Sequence, residues 1–260
     1  MSDAPVLFEI KDHIAQITFN RPENRNAMDD ETMPAFREAV QEAKKDQDLR
    51  CLIITGSGST FCSGADFKSG IVDNKGRLPH QTLMDAYGPF LEIQEIEIPT
   101  IAAMNGHAVG GGFGLALICD IRVANKGSKY GANFSRLGLH TGMAVSYMLP
   151  QIIGLPRANE LLYTGRLING EEAAEIGLAN YALEGDQVVP KAWELAEEIA
   201  SAAPVAVKMI KHAIYRHLQW NPRNAAEIDA LYQSRTFEMG DAKEGISALL
   251  EKRKPIFQGR

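Results

Sequence analysis

The chain lacks the residues that several large protein classes require. Its three cysteines, Cys51, Cys62 and Cys119, form no CxxC pair and are odd in number. That suggests neither a disulfide framework nor a zinc ribbon, and it fits a reducing, cytoplasmic setting. Basic residues are outnumbered, 27 Lys and Arg against 33 Asp and Glu, for a formal net charge of −6. Without a basic face nothing displaces counterions from a polyanion, so no nucleic-acid partner is expected. No uncharged apolar run approaches the ~20 residues of a spanning helix. The start, MSDAPVLFEIKDH, carries Asp3 and no apolar signal segment, so a soluble, unprocessed chain with no membrane partner is expected.

Several catalytic signatures are missing as well. There is no GxxxxGK[ST], because Gly127-Ser128-Lys129 runs in the wrong order, no GxSxG, and no HExxH, because His212 and His217 are five apart. The glycine run from Gly110 to Gly114 leaves Leu115 or Leu117 where a dinucleotide fingerprint needs its last glycine. No metal site is suggested.

What is present is 260 residues, 45% of them hydrophobic, enough for one large α/β domain or a core with a helical appendage. VLFEI and HIAQITFN read as two strands, the second alternating apolar and polar. Residues 29–46 carry acids and Pro34 early, apolar residues at Met33, Phe36, Val40 and Ala43, and lysines at the end, which predicts a helix. CLIIT (51–55) is a buried strand; a helix about 79–95, a strand PTIAAMNG, a glycine-opened helix GFGLALICD and a strand IRVAN follow. Strand and helix alternate, so the class is α/β. Asn169 with Glu172 marks another helix start, and YALEG returns as a strand. After about 187 only helical patterns remain, broken at Pro204, Asn221-Pro222 and Gly240-Asp241. The expected division is a core of 1–186 and a helical region of 187–260, which packs on its own core or on a neighbouring subunit.

Two loops stand out. CLIITGSGSTFCSGADFK places Gly64-Ala65-Asp66 beyond one buried strand, and PTIAAMNGHAVGGGFG places Gly110-Gly111-Gly112 beyond another. Glycines there let a ligand approach backbone N–H groups, and a helix start leaves such groups unpartnered. Two converging N–H groups would hold an oxyanion. The same glycines also serve tight turns and close helix packing.

The sequence resembles the crotonase superfamily, the enoyl-CoA hydratase/isomerase group. The resemblance is carried by RPENRNAM, FCSGADFK, PTIAAMNGHAVGGGFGLALICDIRVA, LGLHTGM, YTGRLINGEEAAEIGLAN and DAKEGISALLEKRKPIF, which together span nearly the whole chain. It implies an α/β core of repeated ββα turns wound into a spiral, with a C-terminal helical region that makes a homotrimer or a homohexamer. It implies an acyl-CoA thioester as substrate, with coenzyme A part of that substrate and no separate cofactor. The thioester carbonyl would be polarised by the N–H groups of Ala65 and Gly111. Ala65, Asp66, Phe67 and Lys68 match the thioester and CoA segment, Arg25 and Ala27 the region beside adenine and pantetheine, and Lys252 a contact to a neighbour's CoA phosphate. Each basic residue also reads as solvated surface charge.

The group's hydratases use two glutamates, and motif matching puts Gly114 and Phe134 at those positions. Neither side chain transfers a proton, so the resemblance implies a departure from standard hydratase chemistry. His140, in LGLHTGM, is the first side-chain candidate for acid or base, with pocket lining as its other reading. His107 and Asp66 read as structural; Ser135 and Arg136 flank the vacated position; His80, Asp85 and Tyr87 stand in reserve. Three functions remain open: lyase or isomerase action through an enolate, hydrolysis or decarboxylation assisted by His140, and acyl-CoA binding without catalysis.

Overall fold

The computed structural model describes residues 4–66, 76 and 78–259. Strands β1 (Val6–Lys11) and β2 (Ile14–Phe19) form an antiparallel hairpin. Its two-residue turn, Asp12-His13, sits at φ 49° and 67°, the left-handed pair whose twist matches a hairpin. The Asp29 carboxylate then accepts from Thr32 N (2.7 Å) and Glu31 N (3.1 Å) and starts α1 (Thr32–Lys45), whose buried face carries Met33, Phe36, Val40 and Ala43.

From β3 onward the chain repeats one theme. Strands β3 (Cys51–Gly56) and β4 (Thr60–Cys62) lead to α2 (Pro79–Leu91). Strands β5 (Thr100–Met104) and β6 (His107–Val109) lead to α3 (Gly111–Ile118). Strands β7 (Ile121–Asn125) and β8 (Lys129–Gly131) lead to α4 (Val145–Ile153), with α5 (Leu155–Thr164) beyond. The first strand of each pair joins a six-stranded sheet, and the second joins a four-stranded one closed by β9 (Ile168–Asn169). This is the ββα spiral. The helix α6 (Gly170–Glu175) starts where the Asn169 side chain accepts from Glu172 N, and β10 (Tyr181–Leu183) completes the larger sheet, order β1-β2-β3-β5-β7-β10.

The larger sheet is buried on both faces, which explains why β3 reads as an unbroken apolar run. Leu52 and Ile54 face the main core, while Ile14, Cys51, Ile53, Ile101 and Val123 face α7 (Gly185–Ser201) through Val188, Ala192 and Ala196. The remaining helices behave differently. The helix α8 (Pro204–His217) buries no residue, and Val205, Met209, Ile210 and Ile214 are exposed along it. It is held by Lys211, whose ammonium donates to Asp120 (2.8 Å) and to Ile98 O (2.9 Å). Then α9 (Pro222–Phe237) packs against α2 and α4, and α10 (Gly240–Glu251) against the short turn Phe134–Leu137.

Candidate active site

The first loop is set by Asn26, a buried residue at φ 52°. Its side-chain amide donates to Thr60 O (2.6 Å) and Ser57 O (3.0 Å), and its Oδ1 accepts from Arg21 N (2.9 Å). That anchors the following Ala27-Met28 alongside residues 63–66. Met28 N donates to Gly64 O (2.9 Å), and Asp66 N donates to Met28 O (3.1 Å), a parallel bridge centred on Met28 and Ala65. Because both bonds use the neighbours of Ala65, its own N–H is turned to the opposite side.

The second loop meets the first there. Gly110, at φ 57°, donates its N–H to Gly131 O (3.0 Å) and turns the chain into α3. Gly111 is the first residue of that helix, so its N–H has no acceptor one turn back. A methyl group on Gly64 would stand 2.9 Å from Gly111 N and 2.8 Å from Val109 O, and one on Gly112 would stand 2.0 Å from Cys62 O. Backbone packs on backbone at this junction, and only glycine permits it. The far end of α3 is capped by the buried Arg122, which donates to Cys119 O (2.5 Å) and Leu178 O (2.6 Å); burial lowers the pKa of its guanidinium from the usual value. Burial also pushes the Cys62 thiol up to about 12, which removes it as a thiolate nucleophile beside the loops.

Gly114 lies one turn along α3 from Gly111. A side chain there would begin 3.0 Å from Met143 Cβ and 3.3 Å from Val145 Cγ2. Around Gly111 the nearest groups are two thioethers, of Met28 and Met143, both buried. The buried Phe134 brings its ring within 3.8 Å of where a Gly110 side chain would begin. The surroundings of Gly114 are therefore apolar, while Asn133 Oδ1 stands as close to the Gly110 position as the Phe134 ring does.

Met143 and Ala144 are consecutive non-glycine residues with φ 57°, each costing about 1 kcal/mol. The turn that carries them is held by side chains of α9. Asp229 accepts from Ser146 Oγ (2.5 Å) and from Thr141 Oγ1 (3.3 Å). Gln233 donates to His140 O (2.9 Å), and Thr236 Oγ1 accepts from His140 N (3.0 Å). The Tyr87 hydroxyl donates to Gln233, and its oxygen stands where a side chain on Gly142 would begin. Burial raises the Asp229 carboxyl above the usual range, opposed by the bonds from Ser146 and the nearby His140; burial raises the Tyr87 phenol too.

His140 is half-buried. Its Nδ1 donates to Thr141 O (2.8 Å), since a carbonyl only accepts, and its ring stands edge-on to Tyr232 at 5.3 Å. These contacts, like those of its backbone, link it to its own loop and α9. Arg25 is exposed, but its carbonyl accepts from Ser63 N (3.2 Å), which ties it to the first loop. Ala27 is buried beside Asn24. Lys252 is exposed at the end of α10, at φ 57°. Phe67 and Lys68 lie outside the described residues. His107 Nδ1 accepts from Lys129 N (2.9 Å) between β6 and β8. Ser135 and Arg136 donate to carbonyls of α5, those of Leu162 and Thr164. His80 is partly exposed and Asp85 exposed. Among the described residues no group of three or more His, Cys, Asp or Glu is placed to hold a metal, and no helix is long and apolar enough to cross a membrane.

Sequence reasoning passed over Met143 and Asp229. The signal for Asp229 was a carboxylate in the inward stripe of α9, with Ala226, Ala230 and Gln233 around it. For Met143 no signal existed, since its left-handed backbone is imposed by tertiary contacts.

A spiral of ββα turns, with two glycine loops meeting at a helix N-terminus, defines a crotonase-fold protein. The chain matches the enoyl-CoA hydratase/isomerase family over residues 9–260 and belongs to it. It is 35% identical to a crotonyl-CoA hydratase of Syntrophomonas wolfei over 97% of each chain. It is 33% identical to the (E)-benzylidenesuccinyl-CoA hydratase of Thauera aromatica, over 98% of this chain and 99% of that one. The crystal structure of carnitinyl-CoA hydratase from Mycobacterium avium superposes with a TM-score of 0.87 at 30% identity, covering all of both chains.

Proposed function

We propose that this protein binds an acyl-CoA thioester and polarises its carbonyl with the N–H groups of Ala65 and Gly111. The observation that carries this reading is the junction of Gly64 with Gly111 N, together with the outward turn of Ala65 N–H. Two donors aimed at developing negative charge are worth roughly 10²–10³ in rate each. They stabilise an enolate or a tetrahedral oxyanion without any ionisable side chain. Arg25, Ala27, Asp66, Phe67, Lys68 and Lys252 are the proposed CoA contacts, and coenzyme A arrives with the substrate, so no other cofactor is needed.

The two proton-transfer positions of a hydratase are occupied by Gly114 and Phe134, and Met143 and Val145 fill the space a Gly114 side chain would enter. On this reading the protein is a lyase or isomerase of this family that lacks the usual proton-transfer carboxylates, the one isomerases commonly keep included, and it hydrates crotonyl-CoA poorly. Titration calorimetry with butyryl-CoA, beside a crotonyl-CoA hydration assay, tests both halves. Binding with slow hydration is expected; absence of binding, or turnover on the order of 10³ s⁻¹, contradicts the reading.

A second reading, hydrolysis or decarboxylation, is favoured by one observation. In the neutral form of His140, Nδ1–H held by Thr141 O leaves the lone pair on Nε2, the arrangement a base needs to take a proton from water. His140→Ala then lowers turnover by roughly 10²–10⁴ with acyl-CoA binding intact. The exposed apolar residues Ile210, Ile214 and Leu218 support a homotrimer or homohexamer, which sedimentation velocity would detect. Three buried, unbridged cysteines suit a cytoplasmic setting.

A further inference from the structure

The acyl side of the site carries an inference that rests on the acyl-CoA reading and goes beyond it. Residues three apart share a helix face, so a carbonyl held at Gly111 N–H directs its chain along the face that presents Gly114. Met143 spans that face. Its sulfur would lie 3.2 Å from a Gly111 side-chain atom, and its Cβ 3.0 Å from one on Gly114.

The backbone that places Met143 is unfavourable by itself. Met143 and Ala144 both lie at φ 57°, and such outliers persist only where surrounding contacts over-determine them. Here the contacts are unusually directed. Asp229 is 1% exposed and grips Thr141 on one side of the outlier pair and Ser146 on the other, one hydroxyl on each carboxylate oxygen. Tyr87 lies against Gly142, next to Met143, and donates to Gln233, which in turn donates to His140 O. The left-handed turn aims Met143 into the site, and its removal would leave space lined by Met28 and Val145.

We propose that Met143 is the acyl-specificity residue, closing the thioester site to long or bulky acyl chains, and that Asp229 is the positioning residue that holds the turn presenting it. The substrate class is then a short acyl-CoA thioester. Asp229 acts through Met143 and touches no substrate.

The test uses unreactive thioethers that keep a carbonyl to accept from Gly111 N–H, S-(2-oxopropyl)-CoA and S-(2-oxononyl)-CoA, with dissociation constants measured for the full-length protein. The ratio of the two constants is the readout, because a partly unfolded sample weakens both probes equally. In the wild type the six added methylenes give little gain. Met143→Gly, which also relieves the φ of 57°, should shift the ratio towards the longer probe by about tenfold or more, as burial of two further methylenes would. Met143→Ala should shift it in the same direction. Asp229→Ala should shift it by less, and the double variant Met143→Gly/Asp229→Ala should add nothing to Met143→Gly alone. Thermal midpoints confirm that each variant is folded. An unchanged ratio in folded Met143→Gly and Met143→Ala overturns the role of Met143. A ratio unmoved by Asp229→Ala, or additive in the double variant, overturns the role of Asp229. If the wild type binds neither thioether nor butyryl-CoA, the acyl-CoA reading and this inference fall together; binding of butyryl-CoA with an unshifted ratio defeats only the inference.

Discussion

The two sides of Gly111 are built by opposite means. Towards Ala65 the site is backbone against backbone: Gly64 and Gly112 admit their neighbours because they have no side chain. Towards Met143 it is side chain against side chain, with Asp229, Gln233 and Thr236 holding a left-handed turn and Tyr87 bonded to Gln233. The first side depends on residue identity only through allowed conformation, so its chemistry tolerates no change at the glycines. The second side depends on a polar network, so its geometry is adjustable by substitution. A substitution can thereby alter the second side and leave the first intact.

The comparison breaks most severely at Gly112→Ala. The added methyl would meet Cys62 O at 2.0 Å, and overpacking against backbone should cost about 3 kcal/mol, read as a lowered denaturant midpoint. Gly64→Ala combines a φ of +83° with contact to Gly111 N and should lower thioester turnover by roughly 10²–10³ in protein that still folds.

On the other side, Asp229→Ala leaves two hydroxyls without their acceptor and should cost about 2 kcal/mol in urea unfolding. Asp229 also gives the network a pH signature. Its folded-state pKa is raised above the ordinary 3.8 by burial, so between those two values the folded state holds more protons than the unfolded state. Stability from this group therefore falls as pH rises through that window and levels off above it. Asp229→Asn should remove this contribution, checked by urea midpoints across the acidic range; an unchanged pH profile counts against a buried, ionising Asp229.

A subtler change sharpens the contrast. Gly114→Glu restores a carboxylate to the vacated position, yet Met143 and Val145 crowd it. Crotonyl-CoA hydration should stay low in the single variant and rise only when Met143→Ala is added. The smallest effect is expected at Arg253, whose ion pairs with Glu244 and Glu251 lie at the surface end of α10. Arg253→Ala should move the thermal midpoint by no more than about 2 °C.

Much of the fold was legible because its signals were local. Phe36, Val40 and Ala43 keep helical spacing in α1, Cys51 to Thr55 form an unbroken apolar run, and Asn169 caps α6 as its spacing with Glu172 requires. The strands of the smaller sheet were not read. β4, β6 and β8 have three residues each and β9 has two, too short for an alternating pattern, so PTIAAMNG read as one strand where β5 ends at Met104 and β6 begins at His107. The helices α4 and α5 were passed over too, although their glycine ends, Gly154 and Gly165, are visible in the sequence. In the site, the glycine loops were legible as motifs, and the match of Gly114 and Phe134 to the family's glutamate positions came only through the resemblance. The clamp on Met143 was not legible, because Asp229 and Ser146 are 83 residues apart and only the fold brings them together.

The central claim is that backbone donors alone polarise the thioester. The direct measurement is the infrared carbonyl stretch of ¹³C-labelled butyryl-CoA, free and bound, by isotope-edited difference spectroscopy. The account predicts a shift to lower wavenumber on binding to the wild type, retained in Met143→Gly and Asp229→Asn and lost in folded Gly64→Ala. Tight binding with a carbonyl stretch unchanged from that of free butyryl-CoA would contradict it.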